Sequence, residues 1–369
     1  MLKKMWMFIF VLSGASLLAQ DVPIHRVEVV PNPANKPFLA VELPEFCTVP
    51  DGTALDPKNG LIYINCPNYA PRTADGTKVH PAILGCIDRE NQFQALLKYP
   101  LHPQSGEVGP MGIALGPDGH LYVCDNQFFI EPKGSVASRI LRVVLQDGKP
   151  TGKVDVVVDG LRLANAIMWH DNVLYVTDTQ IPTEEYGLGG IWRFPYEEVV
   201  GTAETLMVNP KGDKHLMVTC PVKKIGRMDN AGLDGMTWAW GAIYCGNFGD
   251  GVMFRIDRDK NGKATVTKVL DNDDFQCCDG IFYDAATDKI YINDSQANGI
   301  RTLDKNHVHD WLWVNDDTDG TDGLLDQPAE CIVRDGVLYI VNFDWTFPGL
   351  KNSVSTDKPH SVSGITLSK

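Results

Sequence analysis

The sequence has few apolar runs, no cluster of basic residues and no paired cysteine motif. Residues 5–18 are apolar, and nothing after them approaches the roughly 20 residues of a membrane-spanning helix. A formal net charge of −14 argues against nucleic acids and anionic membranes as partners. Because no Cys-x-x-Cys pair occurs, a structural zinc site is not expected. We therefore expect a chain without a membrane span in its mature part.

Several catalytic signatures are also missing. The sequence contains no Gly-x-Ser-x-Gly elbow, no P-loop, no Gly-x-Gly-x-x-Gly fingerprint and no His-Glu-x-x-His motif. Serine hydrolases, nucleotide hydrolases, dinucleotide-dependent dehydrogenases and zinc peptidases of the familiar types therefore lack support.

The N-terminus reads as an export signal. Met1-Leu2-Lys3-Lys4 is basic, an apolar run follows, and Leu18-Ala19-Gln20 offers small residues near a cleavage point. We expect residues 1–20 to be a signal peptide and residues 21–369 to form a single domain. The mature protein would then be periplasmic or secreted.

One short sequence pattern recurs six times along the chain. Each copy has an opening residue, a small residue, an apolar run, a tight turn and a second apolar strand with a tyrosine. Successive copies begin 45 to 69 residues apart. This is near or above the length of about 40–45 residues of one four-stranded propeller blade. Turn residues such as Asp118-Gly119 and Asp171-Asn172 separate the paired strands. The pattern predicts an all-β fold, a six-bladed β-propeller with a central channel.

The residue that opens each copy should lie at the mouth of that channel. These ring positions are Asp51, Met111, Asn165, Asp234, Asp279 and Glu330. Four carboxylates in one ring repel unless they are protonated or neutralised. A divalent cation with oxygen ligands is the simplest neutraliser. Calcium is the favoured ion, with magnesium and manganese left open, and zinc is disfavoured but not excluded because no ring position is a histidine.

A second polar set closes the second strand of each copy: Cys66, Asp125, Asp178, Asn247, Asp294 and Asn342. Such residues commonly cap turns by bonding to nearby backbone, and we favour that structural role. Asp125 and Asn126 are kept as candidates for substrate binding. Cys47 and Cys331 flank the first and last copies, so a closed ring allows a disulfide between them.

The motifs resemble those of the regucalcin/gluconolactonase family of six-bladed propellers. The resemblance rests on Asp51-Gly52 before Leu55-Asp56-Pro57, on Asn165 before its strand, on Asp234-Gly235-Met236 and on Cys277-Cys278-Asp279-Gly280. It implies a metal-dependent lactone hydrolase with a small-molecule, sugar-derived substrate. By resemblance, Asp51, Asn165 and Asp234 would hold the metal, and Asp234 would also be the catalytic acid/base. Asp279 and Glu330 would be additional ring residues.

The chain also departs from the family pattern. The first-blade acid is usually Glu, and here it is Asp51. The second blade usually offers Arg and Asn to sugar hydroxyls, and here residues 107–112 have neither and place Met111 in the ring. The two extra acids resemble the richer oxygen ring of paraoxonase-like propellers. A non-catalytic propeller that binds a ligand or protein, and another metal-dependent chemistry on the same ring, are the alternatives.

Overall fold

The computed structural model describes residues 32–130, 137–181, 188–200, 204–221, 232–249, 251–271, 276–345 and 359–368. The predicted signal peptide lies outside these residues. Helical structure within them is limited to two 3-10 turns (Pro33–Asn35 and Ser295–Ala297) and the one-turn helix α1 (Tyr196–Val199). No helix in this described part has the length and apolar character that a membrane crossing requires.

The strands, numbered in chain order, form six antiparallel sheets. The chain enters through β1 (Phe38–Glu42). The first blade comprises β2 (Thr53–Leu55), β3 (Ile62–Cys66), β4 (Ile83–Ile87) and β5 (Phe93–Lys98). The second comprises β6 (Pro110–Leu115), β7 (Leu121–Asp125), β8 (Ser138–Gln146) and β9 (Lys149–Leu161). The third comprises β10 (Ala164–His170), β11 (Val173–Asp178), β12 (Leu188–Pro195) and β14 (Leu216–Pro221). The short β13 (Leu206–Met207) adds a parallel outer strand to the second blade.

The remaining blades follow the same plan. The fourth comprises β15 (Leu233–Ala239), β16 (Ala242–Asn247), β17 (Val252–Arg258) and β18 (Ala264–Leu270). The fifth comprises β19 (Ile281–Asp284), β20 (Lys289–Asp294), β21 (Gly299–Leu303) and β22 (His309–Val314). The sixth comprises β23 (Pro328–Arg334), β24 (Val337–Asn342) and β25 (Ser361–Thr366), with β1 as its outer strand. The predicted six-bladed β-propeller is confirmed.

The turn chemistry read from the sequence explains the hairpins. Asp171 and Asn172 both have positive φ, 48° and 57°, as a two-residue turn between twisted strands requires. Gly119, with φ of 76°, lies in the corresponding turn of the second blade. These turns fix the register of the first two strands in their blades, and therefore fix which residue begins each inner strand.

Tyrosines on the second strands join neighbouring blades. One buried tyrosine occupies the equivalent position in every blade: Tyr63, Tyr122, Tyr175, Tyr244, Tyr291 and Tyr339. The Tyr63 hydroxyl donates to the carbonyl of Gly148 in the second blade at 2.8 Å, and the Tyr339 hydroxyl donates to Asn91 in the first blade at 2.9 Å. Such bonds satisfy the phenol while its ring fills the space between two sheets.

The ring closes between the sixth and first blades. β1 pairs antiparallel with β25, so strands from opposite ends of the chain share one sheet. The buried Arg334 guanidinium on β23 donates to the backbone carbonyls of Gly60, Ile87 and Asp88 in the first blade. The ring is therefore closed by β1, which supplies the outer strand of the sixth blade.

The Cys47–Cys331 disulfide expected as an option is wrong for this structure. All nine cysteines are buried free thiols. The Cys47 thiol lies in hydrogen-bonding contact with Cys66, whose pKa is raised by burial and by that contact. The chain that precedes the first inner strand thus packs Cys47 against Cys66 of the first blade.

Candidate functional site

The ring positions converge at one end of the channel. A cavity of about 130 Å³ lies there, and five of the six ring residues line it. We call these five the floor of the cavity: Asp51, Met111, Asn165, Asp234 and Asp279. Glu330 lies beside the floor, close enough for its charge to raise the pKa of Asp279.

Asp51, Asn165 and Asp234 are polar residues of the floor, and two of them are directly hydrogen-bonded. The Asn165 side-chain amide Nδ2 donates to Asp234 Oδ1 at 2.6 Å. Asp51 Oδ2 is buried and has no hydrogen-bond partner among the described residues. The charge of Asp51 raises the pKa of Asp234, which places the two carboxylates near each other.

The acids of the floor resist ionisation because they are removed from water. Burial raises the pKa of Asp51 to about 7. Burial, and then the charge of Asp51, raise the pKa of Asp234, while the hydrogen bond from Asn165 opposes that rise. Burial also raises the pKa values of Asp279 and Glu330. Four acids with the same shift need protons or a cation to share the site at neutral pH.

The polar residues of the floor could hold a hard cation with an amide oxygen in addition to carboxylate oxygens. Nowhere in the described ranges do three His, Cys, Asp or Glu side chains group closely enough to hold a metal ion. Asp51, Asn165 and Asp234 supply two carboxylates and one amide, the oxygen ligands that calcium accepts. The orphaned Oδ2 of Asp51 is the observation that favours this set, because a buried carboxylate oxygen without a partner is costly.

Glycines after the ring residues set how closely the blades approach. A Cβ added to Gly52 would lie 2.3 Å from the carbonyl oxygen of Met111 in the next blade. Equivalent contacts occur at Gly112, Gly235 and Gly280, each with the backbone of the following blade at 2.4 Å or less. The small residue of the repeat therefore has a packing function, and it brings the ring residues together.

Three residues of the second polar set bind the backbone just before the ring positions. Asp125 Oδ1 accepts from the backbone N–H of Gly109 at 2.9 Å, and Asp178 Oδ1 accepts from Leu163 at 2.7 Å. Asp294 Oδ1 accepts from Cys277 at 3.1 Å. In these three blades the donor lies two residues before the ring position. The capping role favoured from the sequence agrees with this geometry.

Asp125 and Asn126, the candidates for substrate binding, lie outside the cavity lining. Both are fully buried. Asp125 forms an ion pair with Arg139 at 2.7 Å, and Asn126 Oδ1 accepts from the backbone of Phe128 at 2.9 Å. Their contacts hold the loop that follows β7.

That loop and its counterparts carry the functional residues that sequence reasoning missed. Five aromatic side chains line the cavity above the floor, and we call them the wall: Phe128, Phe129, Phe248, Phe343 and Trp345. All follow the end of a second strand, in the second, fourth and sixth blades. The available signal was their position one to four residues after Asp125, Asn247 and Asn342.

Comparisons with known proteins agree with this architecture. No family model matches the chain, and no curated protein matches its sequence. A solved structure of a putative gluconolactonase aligns at 13% identity and a TM-score of 0.53, over 92% of this chain and 96% of that one. A gluconolactonase from Xanthomonas campestris aligns at 11% identity and 0.55, over 92% and 97%. The resemblance to gluconolactonase propellers is confirmed at the level of the fold.

A third neighbour shows how little chemistry the fold alone determines. A putative oxidoreductase (glucose dehydrogenase) from Thermus thermophilus aligns at 15% identity and a TM-score of 0.56, over 90% of this chain and 99% of that one. Unrelated reactions share such scaffolds. The activity must therefore be argued from the floor and wall of this cavity.

Proposed function

We propose that the chain is an exported, divalent-cation-dependent hydrolase of a lactone or related ester. The observation that carries this proposal is the convergence of Asp51, Asn165 and Asp234 on the floor of a cavity at the channel end. The fold shared with gluconolactonases supports the reaction class. Export rests on the N-terminal sequence alone.

Asp51, Asn165 and Asp234 would hold the cation, and calcium is the favoured ion for this oxygen set. When bound, a divalent cation supplies a positive charge that polarises a carbonyl oxygen and increases the acidity of water. It would also neutralise the carboxylates whose pKa values burial raises.

Asp234 is the residue that we assign as acid/base. Asn165 orients it by donating to Oδ1. Because a carboxylate that holds a cation is a weaker base, the cation would have to increase the acidity of the attacking water as well. The other oxygen, Oδ2, can accept the proton of the attacking water. That water oxygen bonds to the carbonyl carbon, the ring C–O bond breaks, and the proton passes to the departing oxygen.

A lactone and ester panel tests the proposal. We expect calcium-dependent hydrolysis that a chelator abolishes and added calcium restores. Asp234→Asn should lower kcat by about 100- to 10,000-fold, the usual contribution of general acid–base catalysis. The matched control is Asp147→Asn, an exposed aspartate in a turn with φ of 50°, which Asn tolerates. Hydrolysis that survives both chelation and Asp234→Asn would contradict the mechanism.

A further inference from the structure

The wall is an ordered aromatic surface. The Trp345 ring stacks on Tyr69 with centroids 5.1 Å apart and an interplanar angle of 21°. Phe129 meets Trp345 edge-to-face at 5.6 Å and 80°, and Phe128 meets Phe129 in the same way at 5.4 Å and 87°. These are the favoured geometries of aromatic pairs. Phe128, Phe129 and Trp345 therefore form a continuous apolar face between the second and sixth blades, and Tyr69 of the first blade stacks on Trp345.

Backbone contacts hold this face in place before any ligand binds. The backbone N–H of Trp345 donates to Gln327 Oε1 at 2.6 Å. The backbone N–H of Phe128 donates to Asn126 Oδ1 at 2.9 Å. A surface fixed in this way loses little conformational entropy on binding.

The floor beneath the wall is apolar on the same side. Met111 is the one ring residue without a polar side chain, and it lies in the second blade, next to the loop of Phe128 and Phe129. A sugar hydroxyl placed there would exchange water for carbon atoms and lose its hydrogen bonds. The nearby Glu107 is paired with Arg72 at 2.9 Å and with Lys78 at 3.7 Å.

The described lining of the cavity has no basic side chain that could pair with an anion. The ionisable side chains of this lining are the acids Asp51, Asp234 and Asp279, and Glu330 is adjacent to them. The uncharged polar residues of the lining are Asn165, Thr179, Gln180 and Gln327. They suit a polar carbonyl end of a neutral molecule, while the wall suits an apolar end.

We propose that the substrate is a neutral lactone or ester that carries an alkyl or aryl group, and that this group lies between Met111, Phe129 and Trp345. The inference rests on the proposed hydrolase function and deepens it. The sugar-derived lactone expected from the sequence resemblance is replaced in this proposal by an apolar one.

A series of δ-lactones with alkyl chains of increasing length tests the substrate class, with glucono-δ-lactone as the polyhydroxylated comparison. Each added methylene should raise kcat/KM by about 3- to 4-fold until the cavity is filled. Phe129→Ala and Trp345→Ala should reduce this dependence on chain length. Phe129→Leu should retain most of it, which separates loss of the apolar contact from misfolding.

The matched control is Phe46→Ala, because Phe46 is 43% exposed and lies outside the cavity lining. This variant should keep the wild-type dependence on chain length. Faster hydrolysis of glucono-δ-lactone than of every alkyl lactone would overturn the inference. So would a kcat/KM that does not change with chain length.

Binding of alkyl δ-lactams, which resist hydrolysis, separates this inference from the proposed function. Isothermal titration calorimetry on the wild-type protein should show affinity that rises with chain length. If the lactams bind in this way and no lactone or ester is hydrolysed, the hydrolase proposal fails and the apolar ligand class stands. If lactones are hydrolysed but lactam affinity ignores chain length, the inference on the wall fails. If neither occurs, both fail.

Discussion

The floor and the wall of the cavity differ in how the chain builds them. Floor residues lie within two residues of the start of the inner strands. Each is followed by a small residue, which in four blades is a glycine packed against the next blade. Wall residues lie on loops after the second strands, and they occur in three of the six blades. The propeller scaffold therefore constrains the charged positions, whereas the loops are free to vary in size and polarity.

The comparison teaches a division of roles. In the proposed function, the buried carboxylates at equivalent blade positions would hold the cation. In the further inference, the aromatic loops would determine which substrate binds. We therefore expect substitutions in the floor to change metal binding and catalysis, and substitutions in the wall to change the choice of substrate.

The largest expected effect separates two acids of the floor. Asp51→Asn should weaken calcium binding by about 100-fold or more, since even residues that only orient metal ligands contribute 10- to 100-fold. Asp279→Asn should weaken it less, because Asp279 is not in the proposed ligand set. Calorimetric titration with calcium measures both. A larger loss of calcium affinity in Asp279→Asn than in Asp51→Asn would show that the cation binds at Asp279 instead.

The next effect tests the packing that brings the floor together. Gly235→Ala would place a Cβ 2.2 Å from the carbonyl oxygen of Asp279. We expect about 2–3 kcal/mol of lost stability in urea unfolding, because rigid backbone must move. Gly336→Ala is the control: φ is 79° there but space is open, so about 1 kcal/mol is expected. Equal losses would show that inter-blade contact does not matter.

A pH effect follows from the raised pKa of about 7 at Asp51. A buried acid with a raised pKa stabilises the fold below its unfolded pKa of about 3.9, and this stabilisation is lost as pH rises through 7. Chelated protein should lose on the order of 2–3 kcal/mol from this group between pH 5 and 8. For Asp51→Asn, the free energy of unfolding measured in urea should decrease by a correspondingly smaller amount over the same pH range. An identical decrease in both proteins would remove Asp51 as its cause.

The smallest expected effect is a wall substitution that leaves the floor unchanged. Trp345→Ala should leave calcium affinity within about twofold, since sites without shared partners act additively to within about 0.3–0.5 kcal/mol. Titration of this variant with calcium provides the measurement. A tenfold loss would show that the wall and floor are one coupled unit.

Much of the fold and floor could be predicted because they repeat. Asp51, Asn165 and Asp234 recur at one register position, and strand periodicity places such positions at one end of a channel. The wall could not be predicted in this way, because Phe129 and Trp345 lie on loops without a shared length. Asp125 and Asn126 looked available in sequence, yet both lie outside the cavity lining. Asp125 is bound by the Gly109 backbone and by Arg139, and Asn126 Oδ1 accepts from the backbone of Phe128.

Pairing across the chain was also beyond sequence reasoning. The prediction of a Cys47–Cys331 disulfide assumed that ring closure brings the two thiols together. In the structure, Cys47 instead packs against Cys66 in the first blade. The outer strand of the sixth blade comes from β1 near the N-terminus. Such contacts depend on the path of the chain outside the repeat.

A crystal structure grown with calcium would test the central claim most directly. We predict an ion on the floor with oxygen ligands from Asp51, Asn165 and Asp234 at about 2.3–2.6 Å. A floor without an ion at saturating calcium, or an ion bound instead at the acidic loop of residues 316–323, would contradict the account.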